Sequence, residues 1–163
     1  IEGFESSIKH LKYDAKNKKI LILGAGGVVP SIIEALTRMK VLSIAVSNRT
    51  KSNAEKLKNL YNNLTIVDWG EIPNFDMVIN ATSLGLDKDD RINLDFSNVG
   101  KNKFFYDVIY NPKQTNFLEM AKKSGNIVMN GKLMFIYQAL AAFRIWHKIN
   151  LKIDDETIDL LNL

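Results

Sequence analysis

The feature that most constrains the fold is a strand-forming run that leads directly into a glycine-rich turn and a helix. Residues 19–30 read Lys-Ile-Leu-Ile-Leu-Gly-Ala-Gly-Gly-Val-Val-Pro, and apolar residues then recur at helical spacing through residue 36. Gly24 permits a tight turn, and Gly26 lets the backbone approach a pyrophosphate because no Cβ stands in the way. The N–H groups of the following helix would face the anion. The pattern therefore predicts the first βα unit of a dinucleotide-binding fold, with a purely structural turn as the alternative.

The composition is that of an ordinary single domain, and it excludes several kinds of chemistry. The chain has 163 residues, 46% of them hydrophobic, and no apolar run is long enough to cross a membrane. It has no cysteine, which excludes disulfides, thiol catalysis and thiolate metal sites, and we expect a cytoplasmic location. The 22 basic and 18 acidic residues are spread along the chain, so the net charge of +4 indicates a solvated surface and not nucleic-acid binding. No metal site is predicted, because the acidic pairs at 89–90 and 154–155 are typical of loop and helix-cap charges.

Strands and helices are predicted to alternate along the chain. Apolar runs predict strands at 19–23, 41–47, 64–68, 76–85, 104–110 and 126–129. Helical periodicity predicts helices at 1–11, 31–40, 51–61, 115–124, 132–146 and 154–163, and residues 87–102 are expected to form a mobile polar loop. This alternation predicts an α/β fold: a Rossmann-like doubly wound parallel sheet in three αβα layers, with helices at both ends. We expect one domain, with a connecting helix and lead-in at 1–18, a Rossmann core at 19–131 and C-terminal helices at 132–163.

The end of the second predicted strand carries a signal for the type of nucleotide. It reads Asn48-Arg49-Thr50-Lys51 and lies about 20 residues beyond the glycine turn, where these folds read the ribose. An NAD site would place Asp or Glu there for the ribose hydroxyl, whereas Arg49 with Lys51 nearby suits a 2′-phosphate. The pattern therefore favours NADP over NAD. Thr50 is also a good N-cap for the next helix, and both roles are compatible.

Five stretches together resemble the NADP-binding half of the shikimate dehydrogenase family, in the family's order and spacing over nearly the whole chain. They are Gly24-Ala25-Gly26-Gly27, Asn48-Arg49-Thr50, Asn80-Ala81-Thr82-Ser83, Asp107-Val108-Ile109-Tyr110-Asn111-Pro112 and Asn130-Gly131-Lys132-Leu133-Met134-Phe135-Ile136-Tyr137-Gln138-Ala139. The resemblance implies that residues 1–163 are the NADP-binding domain of an oxidoreductase. Its expected reaction is the NADP-dependent, reversible reduction of 3-dehydroshikimate to shikimate in chorismate and aromatic amino-acid biosynthesis.

The resemblance also implies roles for individual residues. The residues expected at the pyrophosphate are Gly24, Ala25, Gly26, Gly27 and Val28, and those at the adenosine 2′-phosphate are Asn48, Arg49 and Thr50. A second basic position of the family falls on Asn53, so Lys51 is expected to replace it. The residues expected around the nicotinamide are Thr82, Val108, Gly131 and Met134, and the expected substrate contacts are Tyr110 and Gln138. Leu133 departs from the family, which usually has a second glycine at that position.

The resemblance assigns no catalytic residue to this chain. In the family, the Lys–Asp pair that handles the hydroxyl proton belongs to the substrate-binding half, and residues 1–4 resemble the segment that follows its Asn-Thr-Asp motif. We therefore expect the chain to bind the cofactor without catalysis on its own, and to bind shikimate or 3-dehydroshikimate together with that half. An exposed docking face would favour a homodimer, which sedimentation at increasing concentration would detect.

Two other functions remain open from the sequence. One is a quinate/shikimate-type enzyme that uses NAD, although Arg49 favours NADP. The other is a nucleotide-binding module without catalysis, because one fold hosts many functions. Tyr110 and Gln138 favour the enzyme, since a cofactor sensor needs no substrate-facing groups. Gln138 lies among apolar residues, and an amide buried there would need hydrogen-bond partners.

Overall fold

The computed structural model describes residues 1–87, 89–151 and 153–160. The strands in chain order are β1 (Lys19–Leu23), β2 (Ser43–Ser47), β3 (Leu64–Val67), β4 (Met77–Asn80), β5 (Phe104–Asp107) and β6 (Ile127–Met129). The helices are α1 (Glu2–His10), α2 (Val29–Arg38), α3 (Lys51–Leu60), α4 (Asn116–Lys123), α5 (Lys132–His147) and α6 (Asp155–Leu160). The predicted order of elements is confirmed, and residues 161–163 of the last predicted helix lie outside the described residues.

The strands form one sheet, parallel throughout, in the order β3-β2-β1-β4-β5-β6. The predicted Rossmann-like parallel sheet is thus confirmed. The chain moves outward from β1 to β3 and then returns to the other side of β1 at β4, so the strand order reverses between β1 and β4. At this point Leu23 is in register with Ser47 of β2 on one side and with Asn80 of β4 on the other. Open α/β sheets bind ligands at such a reversal, beyond the carboxyl ends of the strands.

Both faces of the sheet are covered, which explains why the central strands are buried at almost every position. Ile20 and Ile22 of β1 belong to a core that includes buried residues of α1, α2 and α3. Leu21 and Leu23, which point the other way, belong to a second core with α4. A parallel strand that is buried on both faces reads as a continuous hydrophobic run, as residues 20–23 do.

The connection between β4 and β5 differs from the prediction. Residues 87–102 were expected to form a mobile polar loop, but Ile92, Leu94 and Phe96 are buried in the second core. The ring of Phe96 packs edge-on against Phe105, with centroids 5.4 Å apart. This segment therefore covers the sheet face that a crossover helix would otherwise cover. Three apolar residues at alternate positions among polar ones are too few to reveal this burial by periodicity.

Helix α1 packs directly on α5 and fixes its position beside the sheet. A Cβ placed on Gly3 would lie 2.7 Å from the carbonyl oxygen of Met134, so the two helices lie too close at this position for a larger residue. The carboxylate of Glu2 accepts a hydrogen bond of 2.6 Å from Arg144 of α5. One turn further along α1, the hydroxyls of Ser7 and of Tyr106 in β5 are 3.0 Å apart. These contacts hold the start of α5 close to the end of β5.

A pair of glycine substitutions tests how much the stability of the fold depends on the close contact between the start of α5 and the segment after β5. A Cβ on Gly131 would clash with the carbonyl oxygen of Val108, whereas a Cβ on Gly26 has no atom within 4 Å. We expect Gly131→Ala to lower the free energy of unfolding by roughly 1–3 kcal/mol, the usual cost of forcing atoms into a packed site. Gly26→Ala is the matched control and should unfold like the wild type. Urea denaturation measures both, and equal values for the two variants would contradict the packing described here.

Candidate functional site

The glycine turn after β1 approaches the loop after β4 closely. Gly24 has φ of +110°, and its N–H donates to the carbonyl of Ser47 over 2.7 Å. A Cβ at this position would lie 2.7 Å from the carbonyl oxygen of Ala81. Gly24 is therefore needed both for its backbone conformation and for the short distance to Ala81. The predicted turn is present at the predicted residue.

A cavity of about 260 Å³ opens beside this turn, at the carboxyl ends of β1, β2 and β4. Its lining residues are Gly24, Ala25, Gly26, Asn48, Arg49, Asn53, Trp69, Ala81, Thr82 and Ser83. The N–H groups of Gly26 and Gly27 donate to no residue in the described part of the chain. Helix α2 begins two residues later, at Val29, with Pro30 in its first turn. Free N–H groups at a helix N-terminus form a favourable position for a phosphate.

Arg49 contributes the positive charge of this cavity. Its side chain is exposed, and it forms no hydrogen bond or ion pair with any residue that the structure describes. Asn48 stabilises the segment after β2 that carries Arg49, because its side-chain amide donates to the carbonyl of Thr50 over 2.8 Å. An unpaired guanidinium next to an open glycine turn can bind an anion without first breaking an internal ion pair.

Other predicted contacts with the 2′-phosphate lie outside the cavity lining. The ammonium of Lys51 is 2.6 Å from the carboxylate of Asp68, and this hydrogen bond raises the pKa of Lys51. Thr50 is the N-cap residue of α3, as expected, but its hydroxyl makes no capping hydrogen bond. Asn53 lines the cavity instead. The role assigned to Lys51 stays a prediction, and its ion pair opposes that role.

The cavity includes residues that the sequence analysis did not assign to the site. Trp69 follows β3 by two residues, so the rule that ligands bind at carboxyl ends of strands could have identified it. Ser83 and Ala81 belong to the small segment after β4, whose size keeps the cavity open. Val28 is the N-cap residue of α2 and is half-buried, outside the lining.

Of the residues predicted around the nicotinamide, Thr82 lines the first cavity, whereas Val108, Gly131 and Met134 lie near the end of β5 or at the start of α5. Gly131 donates its N–H to the carbonyl of Ile109 over 3.0 Å and lies against Val108. Met134 is half-buried in the first turn of α5. The ring of Tyr110 stacks on Phe135, with centroids 4.8 Å apart, and both rings are exposed. Tyr110 lines a separate apolar groove of about 630 Å³ together with residues of α5, so the structure does not bring it into the first cavity.

The environment of Gln138 differs from the expectation. The amide was expected to be buried among apolar neighbours, but Gln138 is exposed on α5. Helix α5 is apolar over much of its surface, and its apolar residues Phe135, Ile145 and Trp146 are exposed as well. Apolar neighbours in the sequence therefore do not mean burial on this helix. An exposed amide can hydrogen-bond to water and needs no protein partner, so a role of Gln138 in substrate binding stays a prediction.

A buried polar network connects the first cavity with the residues near the end of β5. Asp107, at the end of β5, is fully buried and accepts hydrogen bonds from Asn80 over 3.0 Å, from the Ile109 N–H over 3.0 Å and from the Thr115 hydroxyl over 2.6 Å. Burial raises the pKa of Asp107 above its ordinary value, and the hydrogen bonds from Thr115, Ile109 and Asn80 reduce that effect. Asn80 in turn holds Thr82, whose hydroxyl donates to the Asn80 carbonyl oxygen over 2.7 Å.

The raised pKa of Asp107 predicts a pH dependence of stability. The folded chain keeps a proton that the unfolded chain releases at the ordinary pKa of about 3.9, so stability falls as pH rises through the folded-state pKa. Asp107→Asn cannot ionise there. We expect the free energy of unfolding of the wild type, relative to that of Asp107→Asn, to be highest in acid. This advantage should be lost as the pH rises to neutral. Urea denaturation of both proteins at several pH values measures this, and a wild-type advantage that grows with pH would contradict it.

Neither a membrane-spanning helix nor a metal-binding cluster is present among the described residues. No described helix has both the length and the apolar character needed to cross a membrane. Within the same residues, no group of three or more His, Cys, Asp or Glu side chains could hold a metal ion.

Comparisons with known proteins identify the family. The model of the family described as Shikimate / quinate 5-dehydrogenase matches residues 6–126. The shikimate dehydrogenase (NADP(+)) of Pelagibacter ubique is 55% identical over the whole chain, which covers 62% of that protein. The quinate dehydrogenase of Corynebacterium glutamicum in complex with NAD has a TM-score of 0.87 at 27% identity, covering 99% of this chain and 61% of that one. The shikimate 5-dehydrogenase of Thermus thermophilus in complex with NADP(H) and shikimate has a TM-score of 0.82 at 29% identity, covering 92% of this chain and 56% of that one.

The chain thus spans about three fifths of the length of the relatives it matches. The family match covers most of the chain, and the Pelagibacter relative aligns with all of it. The chain belongs to the shikimate/quinate 5-dehydrogenase family.

Proposed function

We propose that this chain is the NADP(H)-binding domain of a shikimate dehydrogenase. With a substrate-binding half, it would reversibly reduce 3-dehydroshikimate to shikimate. The observation that carries the proposal is the unpaired guanidinium of Arg49 on the wall of the cavity beside the open glycine turn. The Pelagibacter relative is named a shikimate dehydrogenase (NADP(+)), and the Thermus structure contains NADP(H) and shikimate.

The cavity fits the parts of a dinucleotide that carry phosphate. The free N–H groups of Gly26 and Gly27 and the N-terminus of α2 would hold the pyrophosphate. Arg49 would pair with the 2′-phosphate, and its planar fork of donors suits phosphate oxygens better than a ribose hydroxyl. The open space at Gly26 allows the pyrophosphate to approach the backbone. NADPH supplies the hydride, and these residues of the chain bind and orient it.

The substrate end of the proposed site lies near β5 and α5. Thr82, Val108, Gly131 and Met134 would surround the nicotinamide, as the family resemblance implies. The exposed hydroxyl of Tyr110 and the exposed amide of Gln138 can donate to hydroxyl or carboxylate oxygens of a bound substrate. Their exposure is consistent with this proposal, because they would face the substrate across the cleft between the two halves.

A second candidate is a quinate/shikimate-type enzyme that uses NAD. It is favoured by Asn53, which lines the cavity where the family has a second basic residue, and by the ion pair that holds Lys51 at Asp68. One cation then remains for the 2′-phosphate, which weakens the discrimination between the two cofactors. The Corynebacterium neighbour, a quinate dehydrogenase, is in complex with NAD.

Calorimetric titration of the chain with NADP⁺ and with NAD⁺ tests the role of Arg49. We expect a preference for NADP⁺, and a loss of NADP⁺ affinity in Arg49→Ala by about 10- to 100-fold, the usual value of a hydrogen bond to a charged group. NAD⁺ affinity should stay unchanged, because NAD⁺ has no 2′-phosphate. Arg38→Ala is the matched control, since Arg38 lies at the end of α2, pairs with Glu34 and does not line the cavity.

Each alternative outcome of this titration has a distinct meaning. Equal or tighter binding of NAD⁺ would contradict the role of Arg49 and support the quinate-type enzyme. Equal losses in Arg49→Ala and Arg38→Ala would show an unspecific effect of net charge. Binding of neither cofactor by the wild type would contradict the proposed cavity.

A second experiment distinguishes the enzyme domain from a nucleotide-binding module. We propose that the chain does not oxidise shikimate alone, because the resemblance places the proton-transferring Lys–Asp pair in the substrate-binding half. We expect no NADPH absorbance at 340 nm when the chain is mixed with NADP⁺ and shikimate. Activity should appear when the part of the Pelagibacter relative that this chain does not match is added, and should fall in Tyr110→Phe. Turnover by the chain alone would contradict this proposal, and no activity with the added part would favour the non-catalytic module.

A further inference from the structure

Asp107 makes different contacts through its two carboxylate oxygens. Oδ1 accepts hydrogen bonds from the Asn80 side-chain amide and from the Ile109 N–H, each over 3.0 Å. Oδ2 accepts from the hydroxyl of Thr115 over 2.6 Å, and Thr115 is the N-cap residue of α4. The first oxygen therefore contacts the segments that carry candidate site residues, and the second contacts a helix on the far side of the sheet from α5.

The bond to Asn80 leads to the cavity. The carbonyl oxygen of the Asn80 side chain accepts from both the N–H and the hydroxyl of Thr82, over 3.0 and 2.7 Å. The Thr82 hydroxyl also accepts from the Leu84 N–H over 3.0 Å. Its proton is thus committed to Asn80, and the hydroxyl cannot donate to a ligand in this arrangement. A Cβ placed on Gly24 would lie 3.1 Å from the Thr82 methyl, so that methyl faces the glycine turn.

The bond to Ile109 leads to the other side of the cleft. The N–H of Ile109 donates to Oδ1 of Asp107, while its carbonyl accepts from the N–H of Gly131. The Val108 carbonyl packs against Gly131 so closely that only a glycine fits there. The same carboxylate oxygen therefore fixes the turn that carries Val108 and the start of α5.

We propose that Asp107 is a positioning residue for the cofactor: Oδ1 sets the spacing between Thr82 at the cavity and the Val108–Gly131 contact, through Asn80 and the Ile109 N–H. The inference rests on the proposed function, because it requires a dinucleotide that extends from the Arg49 cavity past both segments. Asp107 itself is fully buried, so a bound dinucleotide would not touch it. The Asn80 amide and the Asp107 carboxylate are both buried, and each is the other's hydrogen-bond partner. Removal of either side chain would leave the other without this partner and would loosen the segments that carry Thr82 and Val108.

Two ligands and three variants test the proposal on the full chain. The ligand 2′,5′-ADP carries the 2′-phosphate but no nicotinamide, whereas NADPH extends past both segments. Asp107→Ala removes the acceptor. Asp107→Asn can keep a carbonyl oxygen towards Asn80 and Ile109 and turn its amide towards the Thr115 oxygen. Thr115→Val is the matched control, because it removes the hydrogen bond to Oδ2 and leaves the Oδ1 contacts in place.

The expected result is a difference between the two ligands. Asp107→Ala should lose at least about tenfold in NADPH affinity and less than about threefold in 2′,5′-ADP affinity. Asp107→Asn should restore NADPH affinity to within about threefold of wild type. Thr115→Val should lower the thermal midpoint and leave both affinities at the wild-type value. If Asp107→Ala does not fold, Thr82→Val cuts the network at its half-buried end and should show the same difference between ligands.

Several results would overturn the proposal. Equal losses for both ligands, or none for either, would show that Asp107 only stabilises the fold. A loss of NADPH affinity in Thr115→Val as large as that in Asp107→Ala would also show that Asp107 only stabilises the fold. Failure of the proposed function is distinguishable, because the wild-type chain would then bind neither 2′,5′-ADP nor NADPH.

Discussion

The candidate site depends on one close backbone approach, between Gly24 at the end of β1 and Ala81 after β4. Because Gly24 has no Cβ, its Cα can lie against the Ala81 carbonyl, and it can adopt φ of +110°, which L side chains rarely do. This contact lies where the order of the strands reverses, so the turn and the loop form two walls of the same cavity. Any larger residue at position 24 would push the walls apart and strain the backbone.

A second close approach, between Gly131 and Val108, has the same cause at the end of β5. No space remains for a Cβ at position 131, so the first turn of α5 lies directly on the segment after β5. The buried carboxylate of Asp107 lies between these two approaches and is hydrogen-bonded to both segments. A polar group at the carboxyl end of a central strand is costly to bury, but here its hydrogen bonds link the segments after β4 and β5. The sheet supplies the rigid platform, and the polar network sets the spacing of the loops on it.

The fold could be predicted from the sequence because its signals are local and repeated. The first strand is a short apolar run that ends at Gly24, and α1, α2 and α4 each have an apolar stripe. Alternation of such elements permits few topologies. The β4–β5 connection could not be predicted, because Phe96 is buried against Phe105 of β5 and Phe117 of α4, and Ile92 and Leu94 belong to the same core. That partnership is between residues distant in sequence.

The candidate site was predictable in position but not in detail. The carboxyl ends of β1, β2 and β4 follow from the strand order, and they place Arg49 and Thr82 in one cavity. The partner of Lys51 was not predictable, because Asp68 reaches it from the next strand in the sheet. Gln138 was misjudged because its apolar neighbours on α5 are themselves exposed. Side-chain partners and exposure depend on tertiary neighbours, and the identity of a motif residue does not report them.

The most direct test of the central claim is a crystal structure of the chain with NADP⁺. We expect 2′-phosphate oxygens within about 2.7–2.9 Å of the Arg49 guanidinium nitrogens, the usual length of a charged hydrogen bond. We also expect the pyrophosphate at the N–H groups of Gly26 and Gly27. A 2′-phosphate directed away from Arg49, or NADP⁺ bound in the apolar groove at Tyr110, would contradict the claim.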